Sequence, residues 1–326
     1  MKKRFIFSCG DINGIGPEIV IKSLNRLTGK KGKQFIFICP LNVFNETASV
    51  TGIRFDFRIV NKLDEISNEP IILFNSGQFK LNTGRPTRSS GKAAYSSLEI
   101  AAELLHKKIA DALITAPISK EALNTAGYNY PGHTEMLAEW FGAKNYVMMF
   151  LSKNIRAALA TIHKPISCVP GLITKEKLES ICKVIIDSLE KDFGINSPSV
   201  GVLGLNPHAG ENGLIGHEEE EVIKPFIKNF KHRKYLHGPF SPDAYWGNKI
   251  YKNYDLTLGM YHDEVLIPFK LLNFSKGVNY TAGLPVVRTS PDHGVAYDIA
   301  GRNLANENSI MEAFYVAGML LTNRKR

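Results

Sequence analysis

Short apolar runs alternate with helix-like segments along this chain, and that alternation constrains the fold more than any other feature. Residues 4–9, 34–39, 70–75, 111–115, 145–151, 155–162, 198–205 and 255–260 read as strands. Strands that are almost continuously apolar are those buried on both faces, and such strands belong to parallel sheets covered by helices. The helical pattern is clear between 174 and 190, where Leu178, Ile181, Ile185 and Leu189 recur at helical spacing behind a capping Thr174. Four glutamates, Glu218 to Glu221, open another segment, where their charge complements the positive end of a helix dipole. At 326 residues the chain exceeds the size at which one core usually keeps growing, so two domains are expected. No linker is visible, which predicts that the chain crosses between the domains more than once. Residues 76–92, rich in Gly, Ser, Thr and Arg, form the one long polar loop of the first half.

Three of the apolar runs break into loops carrying a histidine. The run 155–162 ends on His163, the run 200–205 continues through Asn206-Pro207 into His208, and the run 255–261 ends on His262. Ligands of open α/β sheets sit at the carboxyl ends of strands. Three imidazoles at three such ends can therefore converge on one divalent ion, leaving a position open for substrate as in catalytic zinc sites. A lone histidine is more often a hydrogen-bonded surface residue, and the sequence separations carry no local metal signature. The shared strand-end position is what singles these three out.

Composition narrows the function classes. Forty basic against 31 acidic residues give a net charge of +9, which suits anionic small molecules. Nucleic acid is not expected, because the lysines are dispersed and not gathered into one stripe with aromatics. No run is long enough to span a bilayer. The basic start Met1-Lys2-Lys3-Arg4 precedes too short an apolar stretch for a signal peptide, so a soluble cytoplasmic protein is expected. Cys9, Cys39, Cys168 and Cys182 are widely spaced, and three lie in apolar runs, as reduced buried thiols would.

Further constellations carry possible chemistry. Gly10 to Glu18 follows the first strand and opens a helix, with Pro17 at a position that needs no amide donor. Its spacing is not that of the Rossmann fingerprint, and it could be a bare strand-to-helix turn. His133 and Thr134 stand at another helix start, where a hydroxyl, an imidazole and free amides can hold an anion, although Thr134 could simply cap that helix. Lys270, Asn279 and Arg288 fall at nine-residue intervals in otherwise apolar, turn-rich stretches, where an unpaired charge would be costly. Two cations and an amide are the donors wanted by a substrate bearing carboxylate and phosphate. Asp292 to Gly301 mixes small and polar residues, as a loop wrapping an adenosine does.

With these stretches assembled, the sequence resembles the 4-hydroxythreonine-4-phosphate dehydrogenase family. The motifs are Gly10–Glu18, Thr115–Lys120, Gly132–Glu135, Gly204–Glu211, Gly238–Asp243, Met260–Asp263 and Gly277–Gly301, covering nearly the whole chain. The first, together with His293–Gly301, is also similar to the wider isocitrate and isopropylmalate dehydrogenase group. The resemblance implies a two-domain α/β/α architecture with a cleft between domains. The first domain would be discontinuous, roughly 1–130 plus 275–326; roughly 131–274 would carry the metal histidines and dimer contacts. It implies a homodimer whose sites are completed by the neighbouring subunit. It also implies His163, His208 and His262 as metal ligands, His133, Thr134, Lys270, Asn279 and Arg288 as substrate contacts, and His293, Gly294 and Asp298 as cofactor contacts. The implied acceptor is NAD, with NADP an alternative; the implied metal is Zn2+ first, with Mg2+ or Co2+ alternatives. The implied product of 4-phosphooxy-L-threonine oxidation and decarboxylation is 3-amino-2-oxopropyl phosphate, in vitamin B6 biosynthesis, passed on to pyridoxine 5'-phosphate synthase.

Asp243 and Asp263 are candidates for proton transfer or for orienting a ligand imidazole. Two departures from the family pattern stand out: Ile12-Asn13 in place of Pro-Ala, and Glu264-Val265 in place of Gln-Gly. The second adds a negative charge beside a proposed metal ligand, where it can tune the site. Competing readings are a paralogue acting on another phosphorylated four-carbon hydroxy acid, a phosphate acyltransferase of similar architecture, and a non-catalytic binding protein. The last two have no need of a three-histidine metal site.

Overall fold

The computed structural model describes residues 2–273 and 276–324. Its strands are β1 (Lys3–Ser8), β2 (Lys33–Cys39), β3 (Arg58–Val60), β4 (Ile71–Asn75), β5 (Ala112–Thr115), β6 (Val147–Leu151), β7 (Arg156–Leu159), β8 (Val200–Leu203), β9 (Leu236–Phe240), β10 (Leu256–Gly259), β11 (Val278–Ala282) and β12 (Val287–Pro291). The eight apolar runs all form strands. The chain divides into two compact units, one of Met1–Ala143 with Leu284–Leu321, the other of Lys144–Gly283 with Thr322–Arg326.

In the first unit the strand order is β3-β4-β2-β1-β5-β12, and every pairing is parallel. Phe5, Ile6, Phe7, Phe35, Ile36, Phe37, Ile72 and Leu73 are all buried, so both faces of these strands are covered and the runs read as unbroken apolar stretches. After β1 the chain turns tightly at Gly10, whose φ of +66° and whose approach to the Pro117 carbonyl leave no room for a Cβ. The helix Gly16–Leu27 follows at once, with Pro17 in its first turn as expected. The polar loop is shorter than expected. Thr87 accepts from Ser90 N at 3.1 Å and starts the helix Arg88–His106 inside it.

In the second unit the order is β11-β6-β7-β10-β8-β9. Here the expected parallel pattern is broken, because β6 runs antiparallel to both β11 and β7. The cause is local: β6 and β7 are joined by a turn in which Ser152 N bonds the Ile155 carbonyl at 2.8 Å, whereas a parallel pair needs a long crossover. The remaining pairs, β7-β10, β10-β8 and β8-β9, are parallel. Thr174 caps the helix Lys175–Lys191 through Lys177 N at 3.2 Å, and Leu178, Ile181, Ile185 and Leu189 are its buried face. The glutamate run opens a helical stretch, Glu219–Ile223 continuing into Lys224–Asn229.

Cys9, Cys39 and Cys182 are buried and Cys168 is exposed; all are free thiols. Among the described residues no helix is long and apolar enough to cross a membrane.

Candidate active site

Strands β7, β10 and β8 are neighbours and parallel, so their carboxyl ends lie side by side. His163 follows the end of β7 and His208 the end of β8, while His262 opens the helix His262–Asn273 directly after β10. All three side chains are exposed. The rings of His163 and His262 converge, with centroids 6.3 Å apart. Two imidazoles sharing a tetrahedral ion through nitrogens about 2.0–2.1 Å from it hold their centres about 5 Å apart, so this pair fits a common cation after a small rotation. His262 Nδ1 and Asp263 Oδ1 are hydrogen-bonded at 2.6 Å, which leaves Nε2 to face outward.

The third histidine is not brought into this pair. Among the described residues of one chain, no group of three or more His, Cys, Asp and Glu side chains is arranged to hold a metal ion. His208 opens a left-handed turn in which His208, Ala209, Gly210, Glu211 and Asn212 all have positive φ. His163 is left-handed too, at φ 52°. This conformation costs a non-glycine residue about 1–2 kcal/mol, so strain is concentrated at two of the three histidines. Asp243 lies close enough to feel His208. Its carboxyl is held below the usual range, first by Ser241 Oγ donating at 2.5 Å, then by the Ala244 amide and the His208 charge.

The first unit builds a different kind of site. Arg288, on β12, is 2% exposed, and its Nε and Nη2 donate to Thr115 Oγ1 at 3.1 and 2.7 Å. Burial pulls its pKa down to about 9, against the pull of nearby Glu135. His133 begins the helix His133–Trp140 behind Gly132, which takes the capping position in place of Thr134. The His133 Nε2 is buried without a hydrogen-bond partner. Burial, reinforced by the Arg288 guanidinium, holds the imidazole well below its usual pKa, so it is neutral. Thr134 is buried beside it at 2% exposure. A buried guanidinium, a neutral imidazole with an idle nitrogen and the amides of a helix start together suit an anionic group.

Lys270 lies half-buried on the helix His262–Asn273, and Asn279 lies on β11 with its Oδ1 buried and unpartnered. The loop of His293, Gly294 and Asp298 is exposed at those residues, and the space around the Gly294 Cα is open. Its base is fixed. Ile15 N donates to the Val295 carbonyl at 3.0 Å, and Tyr297 OH donates to Asp11 Oδ2 at 2.8 Å. Asp11 also accepts from Asn13 N and Ser90 Oγ, and burial raises its pKa despite these donors. Asn13, one of the departures noted above, accepts from Asn82 N at 2.8 Å and donates to the Arg85 carbonyl and Thr87 Oγ1 at 2.9 and 3.0 Å. The glycine loop is thereby tied to residues 82–87 and to the 293–298 loop. Sequence reasoning missed Thr115, Asp11 and Tyr297 as supports. All three lie within the motifs noted above, Gly10–Glu18, Thr115–Lys120 and Gly277–Gly301, but membership of a motif assigns none of them this task.

A family model described as the pyridoxal phosphate biosynthetic protein PdxA matches residues 31–317. A 4-hydroxythreonine-4-phosphate dehydrogenase from Sulfurihydrogenibium sp. is 40% identical over 99% of both chains. The crystal structure of 4-hydroxythreonine-4-phosphate dehydrogenase from Klebsiella pneumoniae superposes with a TM-score of 0.85 at 32% identity, covering 98% of this chain and 100% of that one. A β-decarboxylating dehydrogenase from Thermococcus kodakarensis, at 14% identity and a TM-score of 0.50 over 98% of this chain and 83% of its own, shares the fold alone. Fold and likeness together define an oxidoreductase of the α/β dehydrogenase type. More narrowly, the chain belongs to the PdxA family of pyridoxal phosphate biosynthetic proteins.

Proposed function

We propose that this protein oxidises 4-phosphooxy-L-threonine with NAD and releases carbon dioxide to give 3-amino-2-oxopropyl phosphate. The observation that carries the reading is the convergence of His163 and His262 at adjacent strand ends, with Asp263 orienting one of the rings. Arg288, His133 and Thr134 bind substrate anions, and Lys270 and Asn279 supply further donors. The His293–Asp298 loop takes the nicotinamide dinucleotide. Its anchoring through Asp11 and Tyr297 keeps an exposed loop in a defined place. NAD would accept the hydride, with NADP the alternative acceptor. A divalent ion, Zn2+ by preference with Mg2+ or Co2+ able to replace it, would supply Lewis acidity toward the substrate hydroxyl and the new carbonyl. Asp243, kept ionised by its hydrogen bonds, accepts the hydroxyl proton.

The third imidazole comes from the His208 of a second copy, in a homodimer with shared sites. Exposed apolar side chains support this: Leu214 at 83% and Ile215 follow His208, while Ile267, Leu271 at 82% and Leu272 lie on the helix begun by His262. Such side chains gathered on metal-bearing segments mark a surface that is covered. The product passes to pyridoxine 5'-phosphate synthase in the cytoplasm.

The test is NADH formation by purified protein with 4-phosphooxy-L-threonine, with and without a chelator. Turnover that the chelator abolishes and added Zn2+ or Co2+ restores supports the reading. Chelator-resistant turnover, or full activity in His208→Ala, refutes the metal assignment, and absence of NADH refutes the reaction.

A further inference from the structure

Two buried glutamate side chains, Glu219 and Glu264, stand behind the turns that carry His208 and His262. Glu219 is fully buried and accepts from two successive amides, Leu205 N at 2.6 Å and Asn206 N at 2.8 Å, just before His208. It also accepts from Asn206 Nδ2 at 2.9 Å. Glu264, 7% exposed, accepts from Met260 N at 2.5 Å and from Tyr261 N at 3.4 Å, just before His262. The Met260 backbone is held from its other side as well. Its carbonyl accepts Thr161 N at 3.1 Å and Thr161 Oγ1 at 2.7 Å, and Thr161 stands two residues before His163. The turns carrying His163 and His262 are thus pinned to the backbone of one residue, Met260, and the strained turn at His208 is pinned to Glu219.

The geometry points to Glu219, Glu264 and Thr161 as positioning residues of the metal centre, which fix imidazole-bearing turns through backbone groups. This rests on the three-histidine reading above. None of the three need touch the ion. Each ties down the backbone from which a ligand projects, and loss of such support typically lowers metal affinity by about 10- to 100-fold. Side-chain oxygens that accept from backbone amides suit the task, because a buried amide left without an acceptor costs about 1–3 kcal/mol. Two left-handed histidines need such fastening, because an unsupported turn would relax toward ordinary backbone.

The experiment is titration of the full-length apoprotein with Co2+ alone, read by the visible absorption of bound cobalt and by calorimetry. Glu219→Leu and Glu264→Leu are expected to weaken Co2+ by about 10- to 100-fold and to alter the band. Glu264→Gln, which keeps an oxygen for the Met260 amide, stays within about threefold of the parent. Thr161→Val, of nearly the same shape, weakens binding by about 3- to 10-fold and keeps the question decidable should a leucine variant fail to fold. Asp192→Asn, distant from the histidine turns in sequence, is the control: it lowers thermal stability without moving cobalt affinity. Leucine and valine variants that lose stability yet bind Co2+ with the parent affinity and spectrum overturn the positioning role. A parent protein that binds no Co2+ overturns the metal reading itself, and the two failures are told apart by that one titration.

Discussion

Replacing Arg324 by Ala removes the cation from a buried charge cluster, and the loss can be sized from its geometry. Asp192 is 4% exposed and accepts from Arg324 Nε at 2.5 Å, from Ser188 Oγ at 2.6 Å and from the Tyr280 hydroxyl. The Arg324 side chain is 23% exposed. Stripping one partner from a buried pair costs about 3–5 kcal/mol, because the remaining charge stays desolvated. Two hydroxyls continue to serve Asp192, and Arg324 is partly wet, so the lower end applies: about 3 kcal/mol. For a unit of this size that lowers the melting temperature by about 6–12 °C. The cluster also pushes the Tyr280 hydroxyl upward, first by burial and then through Asp192. Thermal and urea unfolding of Arg324→Ala, Asp192→Asn and the double variant complete the assay. Because the Asp192→Asn amide carries no charge, the second substitution is expected to recover about 2 kcal/mol of the first. A single variant within about 0.5 kcal/mol of the parent, or strictly additive losses, would show that the ion pair contributes little and refute the reasoning.

Three further outcomes are expected. His133 has a folded pKa below its unfolded value, so its stabilising contribution is present above about pH 6.5 and is lost as pH falls below that value; His133→Gln should flatten the acid limb of unfolding free energy against pH, and an unchanged slope would contradict a buried neutral imidazole. Arg288→Met should raise the KM for the phosphorylated substrate by about 10- to 150-fold, the equivalent of one charge-assisted contact of about 1.5–3 kcal/mol, with the KM for NAD nearly constant; equal changes in both would argue against a substrate role. Asn13→Ala deletes three side-chain hydrogen bonds to residues 82–87, so amide exchange there should quicken by about tenfold or more while the helix Gly16–Leu27 stays protected.

Much of this fold is legible in the amino-acid order. The eight apolar runs are strands because double burial demands unbroken apolar sequence, and the histidines lie beyond strand ends because loops begin there. The edge strand β9, Leu-His-Gly-Pro-Phe, is not legible, since Gly and Pro argue against a strand and are tolerated only where one side needs no partner. Strand β12 hides behind its polar Arg288, Thr289 and Ser290, all buried. The reversal of β6 depends on a tight turn that carries no Gly or Pro signal. Among site groups, residue type suggests His133 and Arg288, but the neutrality of one and the depressed pKa of the other come from desolvation, which no spacing encodes. Glu219 looks like helix-start chemistry in the sequence. Its second task, holding Leu205 and Asn206, exists only once the chain has folded.

The backbone at positions 163 and 208 sets the preferences of the fold against those of the chemistry. Asn or Gly would sit there more comfortably than His, by about a kilocalorie per site. A laboratory selection that rewarded heat tolerance alone would therefore tend to discard the two imidazoles that the proposed metal site requires. Hardening this enzyme for use at high temperature has to begin elsewhere, with those two positions held fixed.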